Sequence, residues 1–297
     1  MTVGIFWHPD VFLHDQHAHH AAMARNRMET IARAVLDLER VRPVLAEPAT
    51  FEQMALAHDP DYLTQLFSSV ALRDGENIAL ALDTEMNRHT WRALELSAGA
   101  ACQAVDAVLA KQVAHAFNPV YAGHHAQYRG ADGFCFVNTA MVAALHAQAR
   151  GLKRVAVLDF DVHSGNGTVL GLLGRPEFLF AETYQKGYPG PFLQRTQRPA
   201  HILRKKCNSR RDVLRSWLSM FESVRQWRPE LVIVSAGFDA HHADPLGTLG
   251  LLNGDYEWLA ASLRTLGAPV VATLEGGYSV PDVARCAALF VKTLAEG

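Results

Sequence analysis

The chain has 297 residues, 49% of them hydrophobic, and a formal net charge of −2. That is enough apolar material for a large core, and the near-neutral balance argues against nucleic acid or an anionic membrane surface as partner. Its four cysteines, Cys102, Cys135, Cys207 and Cys286, are scattered with no C-x-x-C pair, which argues against a zinc ribbon or disulfide framework and suits a reducing interior. The opening MTVGIFWHPDVF lacks the cationic and apolar regions of a signal peptide. No apolar stretch reaches the length of about 18 residues needed to span a membrane, so a cytoplasmic location is expected.

In chain order, VGIFW at 3–7 reads as a buried strand. The run HDQHAHHAAMARNR follows, with His14, His17, His19 and His20. Its simplest reading is a solvated loop leading into a helix over 27–40; a second metal or an acidic substrate is the alternative. Further helices are expected over 89–111, with Trp91, Leu94, Leu96, Ala100, Val105 and Val108 on one apolar face, and over 136–151, 209–227 and 253–267. Between them VAVLDF at 155–160, EFLFAET at 177–183, LVIVSAGF at 231–238 and PVVATLEGG at 269–277 are near-continuous apolar runs, as parallel strands covered on both faces require. Strands alternating with helices imply β-α-β units and an α/β, three-layer architecture with a mostly parallel central sheet. With no repeat and no break in composition, 1–297 reads as a single domain.

Ligands of open α/β sheets bind at the carboxyl ends of the strands, and there the polar residues collect. Strand 155–160 runs into Asp159, Asp161 and His163; strand 231–238 runs into Asp239; strand 269–274 runs into Glu275, Gly276, Gly277 and Tyr278. Asp161, His163 and Asp239 form a thiol-free, oxygen-rich set for a divalent ion with an open position, suited to Zn²⁺ or Fe²⁺. Read singly, either aspartate is better explained as a helix N-cap after a β-α turn, but that reading leaves His163 without a role. In AGHHAQYRGADGFCFVN at 122–138, a glycine-preceded loop can bring His124 and His125 to one site, where two imidazoles divide acid and base roles. Pairs are not rare here, since His19-His20 is another. In LEGGYS at 274–279 the glycines permit close approach, and Tyr278 is placed to donate to a developing oxyanion or simply to pack with its hydroxyl bonded.

Together, AGHHA…GFCFVNTA, VAVLDFDVHSGNGT, VSAGFDAHHADPLG and LEGGY resemble the motif series of the histone deacetylase family, in family order, and HDPDYL at 58–63 fits as well. That family includes acetylpolyamine amidohydrolases and bacterial deacetylase-like amidohydrolases and has the arginase/deacetylase fold. The resemblance implies that Asp161, His163 and Asp239 bind catalytic zinc. It implies that His125, bonded to Asn166, is the general base; that His124, backed by Asp159, is the more electrostatic partner; and that Tyr278 polarises the amide carbonyl. Phe134 and Tyr188 would wall a narrow acyl channel, Asp83 would hold the substrate backbone at the rim, and Gly133, Gly276 and Gly277 would lie beside the substrate. Asp159 and the backbone around 161–163 would fall at a structural K⁺ site.

Three departures stand out. Ser164 replaces a histidine common in the family, VYAGHHA lacks the usual arginine before the pair, and Glu182 stands where many members have serine, which puts the K⁺ site in doubt. The expected activity is removal of an acetyl or other small acyl group from an N-acylated amine or acyl-lysine, in a protein that need not act alone and could form a homo-oligomer. An arginase-like ureohydrolase is disfavoured because Gly165 stands where its next carboxylate ligand belongs. A catalytically silent acyl-amine binding protein is the remaining alternative, supported only by Ser164 and Glu182.

Overall fold

The computed structural model describes residues 1–14, 25–186 and 201–296. Its elements are, in chain order, β1 (Val3–Trp7), α1 (Arg25–Leu36), β2 (Val41–Leu45), α2 (Phe51–Ala55), α3 (Pro60–Phe67), β3 (Ile78–Ala81), β4 (Thr84–Met86), α4 (Thr90–Leu109) and β5 (His115–Asn118). There follow α5 (Thr139–Ala149), β6 (Val155–Asp159), α6 (Asn166–Leu172), β7 (Phe178–Gln185), β8 (Ile202–Cys207), α7 (Arg210–Trp227), β9 (Leu231–Ala236), α8 (Asn253–Arg264), β10 (Val270–Leu274) and α9 (Val280–Ala295). Eight strands form one sheet in the order β2-β1-β5-β10-β9-β6-β7-β8, every neighbouring pair parallel, while β3 and β4 form a separate antiparallel hairpin.

The central strands show why their sequences carry no polar alternation. Along β6 and β9, Ala156, Leu158, Val232 and Val234 pack into a cluster with Trp217, Tyr256, Leu259 and Phe290, from α7, α8 and α9. The intervening Val155, Val157, Leu231 and Ile233 pack on the opposite face against Ala104, Val108, Ala140 and Ala144, from α4 and α5. Successive strand side chains point to opposite faces, and both faces here are covered by helices, which makes the three layers.

Three sheet strands are not apparent from the sequence. β5 is only four residues long; β2 and β8 are the two edges. VRPVL carries a proline and ILRKKC carries Arg204, Lys205 and Lys206, the composition with which edge strands resist pairing with other chains. The helix α9 is also absent from the sequence-based expectation, although Val283, Ala287, Phe290, Val291 and Leu294 are buried along one of its faces.

Because the strands are parallel and their registers match, their carboxyl ends meet at one edge. Asp159 lies beside Ser235 on one side and Glu182 on the other, and Leu274 lies beside Ala236. His58 bolts one flank of this edge: its Nε2 accepts from Asn138 N at 2.8 Å, so its Nδ1–H donates to Gln127 O at 3.0 Å. His14 sits between the rings of Tyr121 and Phe136, 4.7 and 5.2 Å away, and His115 Nδ1 accepts from Val270 N.

Burial lowers all three of these histidines from 6.5 to about 4. A histidine depressed in the folded state contributes stability above its unfolded value, and that stability is lost as pH falls towards the folded one. The melting temperature should therefore drop progressively between pH 6.5 and 4 as the unfolded chain takes up protons these sites refuse. A melting temperature that stays level across that range contradicts this assignment.

Candidate active site

The chain leaves β6 through two Asx turns. Asp159 Oδ1 accepts from Asp161 N at 3.1 Å, and Asp161 Oδ1 accepts from His163 N at 2.8 Å. From the neighbouring strand end, Asp239 Oδ1 accepts from Val162 N at 2.8 Å, and Asp161 Oδ2 accepts from Gly276 N at 2.8 Å, beyond β10. Neither aspartate caps a helix: α6 is led by Gly165 and α8 by Leu252. The N-cap explanation is thereby set aside.

His163 Nδ1 lies 3.1 Å from Asp161 Oδ1 and 3.0 Å from Asp239 Oδ2. Asp161, His163 and Asp239 each offer a ligand atom within 4.8 Å of the others, all three residues are buried, and Asp239 Oδ2 receives no hydrogen bond of acceptable geometry. Two carboxylate oxygens and an imidazole nitrogen without thiol match the donor chemistry of Zn²⁺ or Fe²⁺. The electrostatics ask for positive charge. Burial, then Asp161, raises Asp239 to about 7, while the two carboxylates outweigh burial at His163 and raise it to about 10. Gly276 is required by this crowding, since a Cβ there would run into both the Asp161 and Asp239 carboxylates.

The two loop histidines come together as the sequence suggests, with ring centroids 4.0 Å apart. His124 is sealed: its Nδ1 lies 2.9 Å from Asp159 Oδ2. Burial opposes charge on His124, but Asp159, Asp161 and Glu275 prevail and raise its pKa well above 6.5. His125 is only partly exposed and behaves in the opposite sense, lowered to about 3 by burial and then by the charge of His124. His125 Nδ1 is 2.6 Å from Asn166 Oδ1, and Asn166 Nδ2 donates to Asp132 Oδ2 at 3.1 Å. Asp132 thus orients the amide, the amide oxygen can only accept, and Nδ1 of His125 must carry the proton. Its Nε2 is left with the lone pair.

Around this centre, Phe134 packs edge-on against Tyr278 at 6.2 Å. Gly133 has φ +54, and a Cβ there would strike the His125 ring. Phe134 N donates to Thr84 Oγ1, which donates to Asp83 Oδ1 at 2.9 Å, so the β3–β4 hairpin bearing Asp83 is seated on the Phe134 wall. Tyr188, His17, His19 and His20 lie outside the described residues.

Several supports were not singled out by sequence reasoning. Glu275 Oε2 accepts from Gly123 N and His124 N at 2.6 and 3.1 Å, fixing the histidine loop. Wholly buried Arg27 donates to Gly277 O and Glu275 O and lies 5.6 Å from the Tyr278 ring centroid. Asp244 accepts from the backbone of Tyr278 and Ser279 with Oδ2 and of Leu246 and Gly247 with Oδ1. The only prior signal for Glu275 and Asp244 was their place in LEGGY and ADPLG, and for Arg27 its place at the end of HDQHAHHAAMARNR.

If Asp161, His163 and Asp239 hold a divalent ion, the purified protein should retain about one equivalent after dialysis. Asp239→Asn and Gly276→Ala should each release it while keeping a native circular-dichroism spectrum. Retention of the ion by both variants contradicts the site.

Residues 16–294 match the histone deacetylase domain. Human polyamine deacetylase HDAC10 is 32% identical over 295 residues, 92% of this chain and 43% of that protein. The histone deacetylase-like amidohydrolase of Pseudomonas aeruginosa is 31% identical over 266 residues, 84% of this chain and 69% of that protein. The crystal structure of the HDA15 HD domain superposes with a TM-score of 0.92 at 26% identity, covering 99% of this chain and 90% of that one. The chain spans 42–62% of the length of the plant and mammalian relatives that it matches. With the eight-stranded parallel sheet and a family match that runs almost end to end, the chain belongs to the histone deacetylase family.

Proposed function

We propose that this chain is a single catalytic domain over 1–297 that hydrolyses a linear amide, removing an acetyl or other small acyl group from an N-acylated amine or acyl-lysine. The observation that carries this reading is the histidine pair, His124 bonded to Asp159 and His125 to Asn166, beside the Asp161–His163–Asp239 set. A divalent ion held there, Zn²⁺ with Fe²⁺ as the alternative, would supply Lewis acidity and a more acidic water.

The chain's own groups account for the proton traffic. His125, neutral with its lone pair on Nε2, takes the proton of the attacking water and returns one to the leaving amine. His124, held protonated against Asp159, contributes fixed positive charge where negative charge develops. Tyr278 donates its phenolic hydrogen to the carbonyl oxygen as it becomes an oxyanion. Phe134 forms an apolar wall that admits a slim side chain bearing a small acyl cap, with Tyr188 read as the facing wall and Asp83 as the rim group for the substrate's amide.

Two relatives are named for a polyamine deacetylase and an amidohydrolase, and the weak net charge here provides no acidic field for a basic histone tail. Small N-acylated amines are accordingly the favoured class, with acyl-lysine next. Four cysteines are buried and none is disulfide-bonded, which suits a cytoplasmic location. No helix among the described residues is long and apolar enough to cross a membrane.

The test is deacylation of acetyl-lysine peptides, acetylated polyamines and simple N-acyl amines by zinc-loaded protein. His125→Ala should reduce kcat/KM by about 10²–10⁴-fold, and Tyr278→Phe by about 10²–10³-fold with KM little changed. Tight binding of an acylated amine without turnover would contradict the hydrolase and favour a binding protein. Turnover that survives His125→Ala would overturn the role of the pair.

A further inference from the structure

Beneath the metal-binding turn lies a second charged cluster, of which the proposed reaction uses Asp159 alone. Asp159, Glu182 and Arg204 stand side by side on β6, β7 and β8, register partners in adjacent parallel strands. Glu182 is wholly buried. Its Oε2 accepts from Gly165 N at 2.9 Å, and both its oxygens lie within 3.2 Å of Ser164 Oγ. Arg204 Nε donates to Glu182 Oε1, Arg204 Nη2 donates to Ser164 Oγ at 2.8 Å, and the guanidinium covers the Tyr184 ring at 5.2 Å. Ser164 and Gly165 are the two residues between His163 and Asn166, so the cluster holds the turn that joins a proposed metal ligand to the group that orients His125.

The family resemblance implies K⁺ at this position, and the residues present do not fit it. A hard cation is held by oxygen lone pairs that are not already engaged by donors. Here Asp159 Oδ1 takes Asp161 N, Asp159 Oδ2 faces His124 Nδ1, and both Glu182 oxygens are engaged by Ser164, Gly165 and Arg204. A glutamate stands in place of a neutral side chain, and an arginine on the next strand sets a fixed cation against both that carboxylate and Ser164. Arginine suits the role because its planar fork reaches Glu182 and Ser164 together and its charge cannot be titrated away.

We propose that Arg204 supplies, as part of the chain, the positive charge that an inorganic monovalent cation would otherwise bring to this turn, and that it acts as a positioning residue for His163 and Asn166. Stability and turnover are then independent of which monovalent salt is present. The stability part stands apart from the hydrolase reading; only the turnover part rests on it.

The experiment compares metal-loaded protein in KCl, NaCl and choline chloride at equal ionic strength, reading melting temperature and, separately, kcat and KM. The wild type should give the same values in all three salts. In choline, Arg204→Ala should melt about 6 °C or more lower, because it strands a buried carboxylate, and should lose kcat with KM little changed. KCl should recover part of both losses, and Arg204→Lys should stay indifferent to the salt. Should Arg204→Ala not fold, the wild type and Arg204→Lys decide the matter. Wild-type protein that is stabilised by K⁺ over choline overturns the proposal, as does an Arg204→Ala protein indistinguishable from wild type in every salt. Salt-indifferent melting in a protein that deacylates nothing would leave Arg204 in its place and refute only the hydrolase.

Discussion

Five carboxylates are crowded at one end of a sheet from which water is excluded: Asp159, Asp161, Glu182, Asp239 and Glu275 are each at most 1% exposed. Burying one uncompensated carboxylate costs several kcal/mol, so five in one place are tolerable only if every charge is answered. The architecture around the site is the set of answers. Asp159 is met by His124, Glu182 by Arg204, and Glu275 by the backbone N–H groups of Gly123 and His124. Asp161 and Asp239 take backbone donors from Val162, His163 and Gly276, yet still face each other across His163. A divalent ion at that point would answer the remaining charge of these two carboxylates.

The parallel sheet makes the crowding possible. Three central strands release their chains at the same edge, so residues separated by more than a hundred positions meet within hydrogen-bond distance. Gly276 N reaches Asp161 across 115 residues, and Gly123 N reaches Glu275 across 152. The same convergence divides the labour of the histidines. His124 lies inside the field of the carboxylates and is held charged, while His125, one residue on, is turned towards Asn166 and held neutral.

How much of this the sequence reveals depends on whether the cause is local. Central strands such as β6 and β9 are legible because burial on both faces removes every polar residue from the run. Edge strands β2 and β8 are not, because their proline and charges serve to discourage pairing and mask the strand pattern. Asp161, His163 and Asp239 are legible because polar residues interrupt an apolar run where it should end. Asp161 and Asp239 also read as helix caps, and only the fold, in which α6 is led by Gly165 and α8 by Leu252, separates the two explanations. Asp132, Asp244 and Arg204 are illegible alone: each gains its meaning from a partner 22 to 34 residues away, Asn166, Tyr278 and Glu182 respectively.

X-ray absorption at the zinc K-edge, on protein purified and loaded with one equivalent of zinc, tests most directly whether the carboxylate cluster is built around one cation ligated by oxygen and imidazole. A first shell of nitrogen and oxygen at about 2.0–2.2 Å is expected, with an imidazole outer-shell signature and no sulfur. A sulfur shell near about 2.3 Å, or a zinc surrounded only by water, would contradict it.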